Sequence, residues 1–225
     1  MRVATALAPS PEVATAEVVV ALVLLSEFAM LRVSLQRSQV RLYAFQSLAV
    51  AALATVAAIT RHEPDLYALA ALSVALKAVA VPAIILRVLR EVDVDLAGSH
   101  RLGVATMALI AAVVATFGFV AVGTLPFHAP SFPVPALGMA GAAILVAFLL
   151  VVLRRDVVSQ AVGFFSLENG VSAAGLVVAA GLPLIVEVAL LFDLLVAVVA
   201  FGVLMRVHHG RARTLSTETL DRLRG

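Results

Sequence analysis

Residues 134–156 read VPALGMAGAAILVAFLLVVLRRD. The twenty residues from Val134 to Leu153 contain no charge, and Arg154-Arg155-Asp156 follow at once. An α-helix needs about 20 residues to cross a hydrocarbon core of about 30 Å. The stretch therefore reads as a membrane span that stops at a charged turn. That turn leaves almost no linker before the next apolar segment, so the two segments form an antiparallel pair.

The same pattern recurs along the chain. Seven segments are long and apolar enough to span, near residues 14–33, 40–60, 66–87, 102–125, 134–153, 157–180 and 183–206. Hydrophobic residues make up 63% of the 225, and mean hydropathy is +1.10. A soluble domain averages roughly 45–50% apolar residues. The fold class that follows is an all-α integral membrane protein, one transmembrane domain over 1–225, with a tail at 207–225. No internal repeat and no soluble domain fits in the remainder. The turn Gly181-Leu182-Pro183 places Pro183 to start a helix.

Orientation follows from the basic residues. Thirteen of the sixteen lysines and arginines fall on one side of the alternation: Arg32, Arg37, Arg41, then Arg87, Arg90, Arg101, then Arg154 and Arg155, then five after residue 205. Arg2 and Arg61 fall on the other side, and Lys77 lies within a segment. The N-terminus is expected outside and the C-terminus in the cytoplasm, in a cell inner (plasma) membrane. The one positive charge at Arg2 and the interruption by Glu17 favour an uncleaved first helix over a secretory signal. The pI near 9.7 comes from these loop arginines. It implies lipid headgroups as partners and no nucleic acid.

Several chemistries are excluded. There is no cysteine, so no iron–sulfur cluster or thiol chemistry is available. The five histidines, His62, His100, His128, His208 and His209, fall in loops or at segment ends, where they cannot face each other across a haem. A retinal Schiff base would need a lysine in the last segment, whereas the only lysine is Lys77 in the third. No catalytic, metal or cofactor residue is assigned to the chain.

What remains is a set of charges inside apolar segments. Each costs roughly 3 kcal/mol on insertion scales, so each requires a function or a partner. Glu168 lies mid-segment, with Asn169 and Ser172 placed to hydrogen-bond it or to hold water beside it. Asp193 lies mid-way along the next segment, and Glu187 lies nearer its outer end. Lys77 is central in the third segment, and Pro82 leaves the carbonyl of Ala78 without its helical partner. Glu27 is deep in the first segment, where relay and snorkelling to the cytoplasmic face are both open. The alternative for all five is a static role in helix packing.

These residues carry a resemblance. The run Gly163-Phe164-Phe165-Ser166-Leu167-Glu168-Asn169-Gly170, then Pro183-Leu184-Ile185-Val186-Glu187 and Phe192-Asp193-Leu194-Leu195-Val196, resembles the hydrogenase-4 component E family. Arg41-Leu42-Tyr43-Ala44-Phe45-Gln46-Ser47-Leu48, Leu76-Lys77 before Pro82, and the ending Leu220-Asp221-Arg222-Leu223-Arg224 are similar to it as well. That family supplies membrane subunits of group 4 [NiFe] hydrogenase and formate hydrogenlyase-type complexes. The last two segments also resemble helices of the K-type subunit of respiratory complex I, which carry one glutamate each. Glu168 matches the first glutamate. Asp193 matches the second by depth, with Glu187 as an additional acid, so which of the two inherits the role stays open.

The resemblance implies a membrane-arm subunit of a complex I-like, redox-driven proton or sodium pump. Glu168, Asp193, Glu187, Lys77 and Glu27 would form its proton relay. It implies antiporter-like and complex I-like membrane partners and a peripheral redox arm. The nickel-iron centre and iron–sulfur clusters would sit on those partner subunits. Two alternatives stand beside it: a subunit of a multisubunit cation/proton antiporter, and a purely structural membrane anchor.

Overall fold

The computed structural model describes residues 11–92, 103–125, 133–178 and 201–203. Among them are α1 (Pro11–Arg32), α2 (Gln36–Arg61), α3 (Asp65–Ser73), a π-helical segment (Val74–Ala80), α4 (Val81–Val92), α5 (Val104–Gly123), α6 (Val134–Leu153) and α7 (Val157–Val178). α3, the π segment and α4 form one continuous span. Six helices are thus long and apolar enough to cross a membrane, and the described residues include no strand. This is an all-α membrane protein. The seventh expected segment, with Glu187 and Asp193, lies outside the described residues apart from 201–203, which are helical. The loop at 93–95 and the tail at 207–225 lie outside them too.

Two hairpins form the centre. α1 and α2 are joined by residues 33–35, and α6 and α7 by residues 154–156. Hydrogen bonds between α2 and α7 show how the hairpins meet. Gln36 reaches Asp156, Gln39 meets Ser159, and Gln46 meets Ser166, each pair 120 residues apart. A constant offset means that α2 and α7 run parallel and in register. Their partners α1 and α6, each antiparallel to its hairpin mate, run parallel to one another as well. Positions 36, 39 and 46 repeat at three and seven, the spacing that keeps one helix face turned to a neighbour.

α2 begins at Gln36, four residues earlier than its apolar run at 40–60. Gln36 and Gln39 are fully buried there, bonded to Asp156, Ser159 and the carbonyls of Met30 and Val33. Hydropathy alone cannot place polar residues that are satisfied inside a bundle. At its other end α2 closes on His62, in the left-handed region at φ 56°, with its N–H on the carbonyl of Ala58.

α5 lies on α6 through small residues. A Cβ placed on Gly118 would sit 2.9 Å from the carbonyl oxygen of Gly141 and 3.0 Å from the Cα of Ala142. In lipid, where apolar burial between helices gains little, such close backbone approach supplies the packing. The opposite face of α5, with Leu109, Val113, Phe117 and Val120, is exposed and apolar, as a lipid-facing surface requires. Gly118→Ala is expected to cost about 1–3 kcal/mol by forcing the backbones apart. Gly123→Ala, with nothing within 4 Å, serves as the tolerated control in a detergent unfolding series.

Candidate functional site

The bundle holds two apolar cores. One gathers Met30, Val40, Tyr43, Val146, Val158 and Phe165, and the other Val20, Leu53, Ala140, Ala173 and Leu176. Between them, along α1, α2 and α7, runs a band of polar side chains. It is built from two turns of α7 that present polar residues on two faces. Ser166 and Asn169, three apart, turn to α1 and α2. Glu168 and Ser172, four apart, turn to the third span.

On the first face stands Glu27, which is fully buried. Its Oε1 accepts hydrogen bonds from Gln46 Nε2 at 2.6 Å and from Ser166 Oγ. Ser166 Oγ also lies 2.7 Å from Gln46 Oε1. Asn169 Nδ2 donates to Gln46 Oε1 at 3.1 Å and to Ser47 Oγ at 2.9 Å. Ser47 in turn donates to the carbonyl of Tyr43. Glu27 is turned to Gln46 and Ser166 inside the bundle and does not reach toward the end of α1.

On the second face Lys77 Nζ lies 2.7 Å from Glu168 Oε1 and donates to Ser172 Oγ at 3.2 Å. Lys77 is 2% exposed, and the Glu168 side chain 14%. Lys77 lies inside the π segment, where the N–H of Val81 bonds the carbonyl of Leu76, five residues back. A π turn widens the helix and is often found at functional sites. Here it ends at Ala80, two residues before Pro82, whose ring donates no hydrogen bond and crowds the carbonyl four residues back. The expected opening of this span thus takes the form of a widened turn that carries the lysine.

The structure brings Lys77 and Glu168 together and sets Glu27 on the other side of α7. It corrects one detail of the expected surroundings of Glu168. The Asn169 amide turns to Gln46 and Ser47, and Ser172 takes its hydrogen bond from Lys77. Glu187 and Asp193 lie outside the described residues. Gln46, Ser166 and Ser47 were not singled out by sequence reasoning. The signal was present in Gln36, Gln39 and Gln46, which recur on one face of an otherwise apolar segment.

A second polar cluster closes the loop end of the band. Arg154 counts as a cytoplasm-facing loop arginine in the sequence, yet it is fully buried. Its Nη2 donates to the carbonyls of Met30, Leu31 and Val33 at 2.9, 2.9 and 2.7 Å. These belong to the C-terminal end of α1, which carries unpaired carbonyls and partial negative charge. Burial draws the Arg154 pKa below the ordinary arginine value, and the charge of Asp156 opposes that shift. Asp156 caps α7, accepting from the N–H of Ser159 at 2.7 Å and from Gln36 Nε2 at 2.9 Å. Gln160 Nε2 closes the turn on the Arg154 carbonyl.

The chain is 33% identical over 190 residues to the uncharacterized protein Rv0085 of Mycobacterium tuberculosis (strain ATCC 25618 / H37Rv), and the match covers 84% of each. No family model matches the chain. No solved structure matches it.

Proposed function

The chain belongs to the family of the mycobacterial protein Rv0085, and from its intramembrane charges we propose that it is a membrane-arm subunit of a complex I-like, redox-driven ion pump. The resemblance of its 163–170 motif to the hydrogenase-4 component E family directs the proposal to a group 4 [NiFe] hydrogenase-type complex. In this reading the N-terminus is outside, seven helices cross the inner membrane, and the arginine-rich loops face the cytoplasm. Electrons pass through a peripheral arm carried by partner subunits, which also hold the nickel-iron centre and the iron–sulfur clusters.

One observation carries the proposal: a lysine and a glutamate, 2.7 Å apart, meet inside an apolar bundle at a widened turn of helix. Intramembrane ionisable pairs are costly and recur on ion and proton paths. A change of charge in a neighbouring subunit alters the free energy of the pair in proportion to the field across it. The proton of Lys77 then has Glu168 as its acceptor, with Ser172 as a second hydrogen-bond partner of the amine. Glu187 and Asp193 are proposed to continue the path in the last helix. The antiporter reading shares this site and differs in lacking a redox arm.

The test is Glu168→Gln, which keeps shape and hydrogen bonding and removes the titrating group. The variant complex is expected to assemble, while proton movement per electron in reconstituted vesicles collapses. Removal of a positioned acid–base group slows its proton transfer by on the order of 10²-fold. Unchanged pumping would reduce Glu168 to a packing residue. Copurification of a subunit carrying nickel and iron separates the hydrogenase reading from the antiporter.

A further inference from the structure

Three short contacts close a ring at Glu27. Its Oε1 lies 2.6 Å from Gln46 Nε2. The other end of that amide, Gln46 Oε1, lies 2.7 Å from Ser166 Oγ. Ser166 Oγ closes the ring on Glu27 Oε1. Polar atoms this close attract only with a hydrogen between them, so each of the three contacts needs one. The Gln46 nitrogen supplies one and the Ser166 hydroxyl supplies one. An ionised carboxylate supplies none. With Glu27 ionised, the serine hydrogen serves Glu27 or Gln46, and the other pair of oxygens meets lone pair to lone pair.

Turning the Gln46 amide over does not restore the balance. Its nitrogen would then donate to Ser166, and Ser166 to Glu27. The amide oxygen would instead face Glu27 Oε1 across the 2.6 Å contact, with no hydrogen between them, and the Val23 carbonyl at 3.3 Å. One hydrogen is missing in both orientations, and Glu27 is the member of the ring able to gain it. The surroundings agree. Glu27 is fully buried, and its Oε2 takes part in no hydrogen bond. Among the described residues Lys77 is engaged by Glu168, and Arg154 by the carbonyls at the end of α1. α5 and α6, which pack against α1, carry no charged residue. A buried carboxylate with no counter-charge and too few donors takes up a proton.

The geometry points to a fixed proton site: Glu27 is a neutral carboxylic acid whose Oε1–H donates to Ser166 Oγ, while Ser166 donates its own hydrogen to Gln46 Oε1. The bond from Glu27 to Ser166 thus runs opposite to the sense an ionised glutamate imposes, and it ties α1 to α7. The proton has no onward route among the described residues. A shift around the ring would load the amide oxygen of Gln46. Beyond it, Asn169 donates to Gln46 and Ser47, and Ser47 donates to the Tyr43 carbonyl. Amide and backbone oxygens accept hydrogen bonds without handing protons on. α7 therefore carries a charged pair on one face and a neutral, stationary acid on the other. This site does not depend on the redox partners proposed above.

The test is infrared difference spectroscopy on the purified full-length protein in detergent near neutral pH. The wild type is expected to show the carbonyl stretch of a protonated carboxylic acid, and Glu27→Gln is expected to lose it. Ser166→Ala removes the acceptor of the acid hydrogen, so the same band is expected to move to higher wavenumber. If Glu27→Gln does not fold, glutamate labelled with carbon-13 at the side-chain carboxyl marks the glutamic acid bands, and the shift in Ser166→Ala assigns the one bonded to Ser166. Loss of a carboxylate band in Glu27→Gln, with the acid region unchanged, would overturn the site. So would acid bands that Ser166→Ala leaves in place.

Discussion

Lys77→Met is expected to destabilise the bundle by about 3–5 kcal/mol, the cost of breaking a buried ion pair by removing one member. Glu168 would keep its charge beside a thioether and a serine hydroxyl that had been bonded to the lysine. Adding Glu168→Leu removes the other member of the pair, and the double variant is expected to recover part of the loss. That non-additivity, read from chemical unfolding of the four proteins, measures the coupling of the pair. Lys77→Arg then separates fold from function. Arginine keeps the ion pair but does not readily release a proton. The arginine variant is expected to assemble and to lose coupled proton movement. Normal pumping in it would make the pair a static fastener.

Arg154→Ala is expected to cost a similar amount, about 3–5 kcal/mol. The guanidinium satisfies three carbonyls at the end of α1, and charge-assisted hydrogen bonds contribute about 1.5–3 kcal/mol each, with partial loss compensated by water at the loop. Lysine is expected to recover only part of the loss, because a point charge on a flexible stem cannot reproduce the planar fork. Detergent unfolding with both variants checks the order: parent, then lysine, then alanine. An alanine variant as stable as the parent would show that the buried arginine contributes nothing to the join between the hairpins.

The spans were legible because a membrane demands length and apolarity, and the sequence supplies both. The segment at 134–153 coincides with α6, 102–125 runs two residues beyond α5 at each end, and 157–180 starts where α7 starts, its last two residues lying outside the described ones. The third span runs beyond 87 to Val92, because its last turns carry Arg87 and Arg90, which hydropathy discounts. Lys77 and Glu168 were each legible as intramembrane charges. Their meeting was not, since it depends on which helices touch. Glu27 was ambiguous for the same reason. Its depth from the end of α1 was readable, but its direction was set by Gln46 and Ser166, which the register of α2 on α7 brings to it. Arg154 was legible as a residue of the turn between α6 and α7, but its burial was not, because nothing in a local window shows that a turn is folded under a neighbouring helix.

The constant 120-residue offset between α2 and α7 has a consequence for biosynthesis. At roughly 5–20 residues per second, a ribosome takes about 6–24 s to deliver the second hairpin after the first. Throughout that interval the bonds made within the first hairpin, such as Gln46 to Glu27 and Gln39 to the Met30 carbonyl, can form, but Asp156, Ser159 and Ser166 are still missing. The polar face of the first hairpin is therefore completed only when α7 arrives.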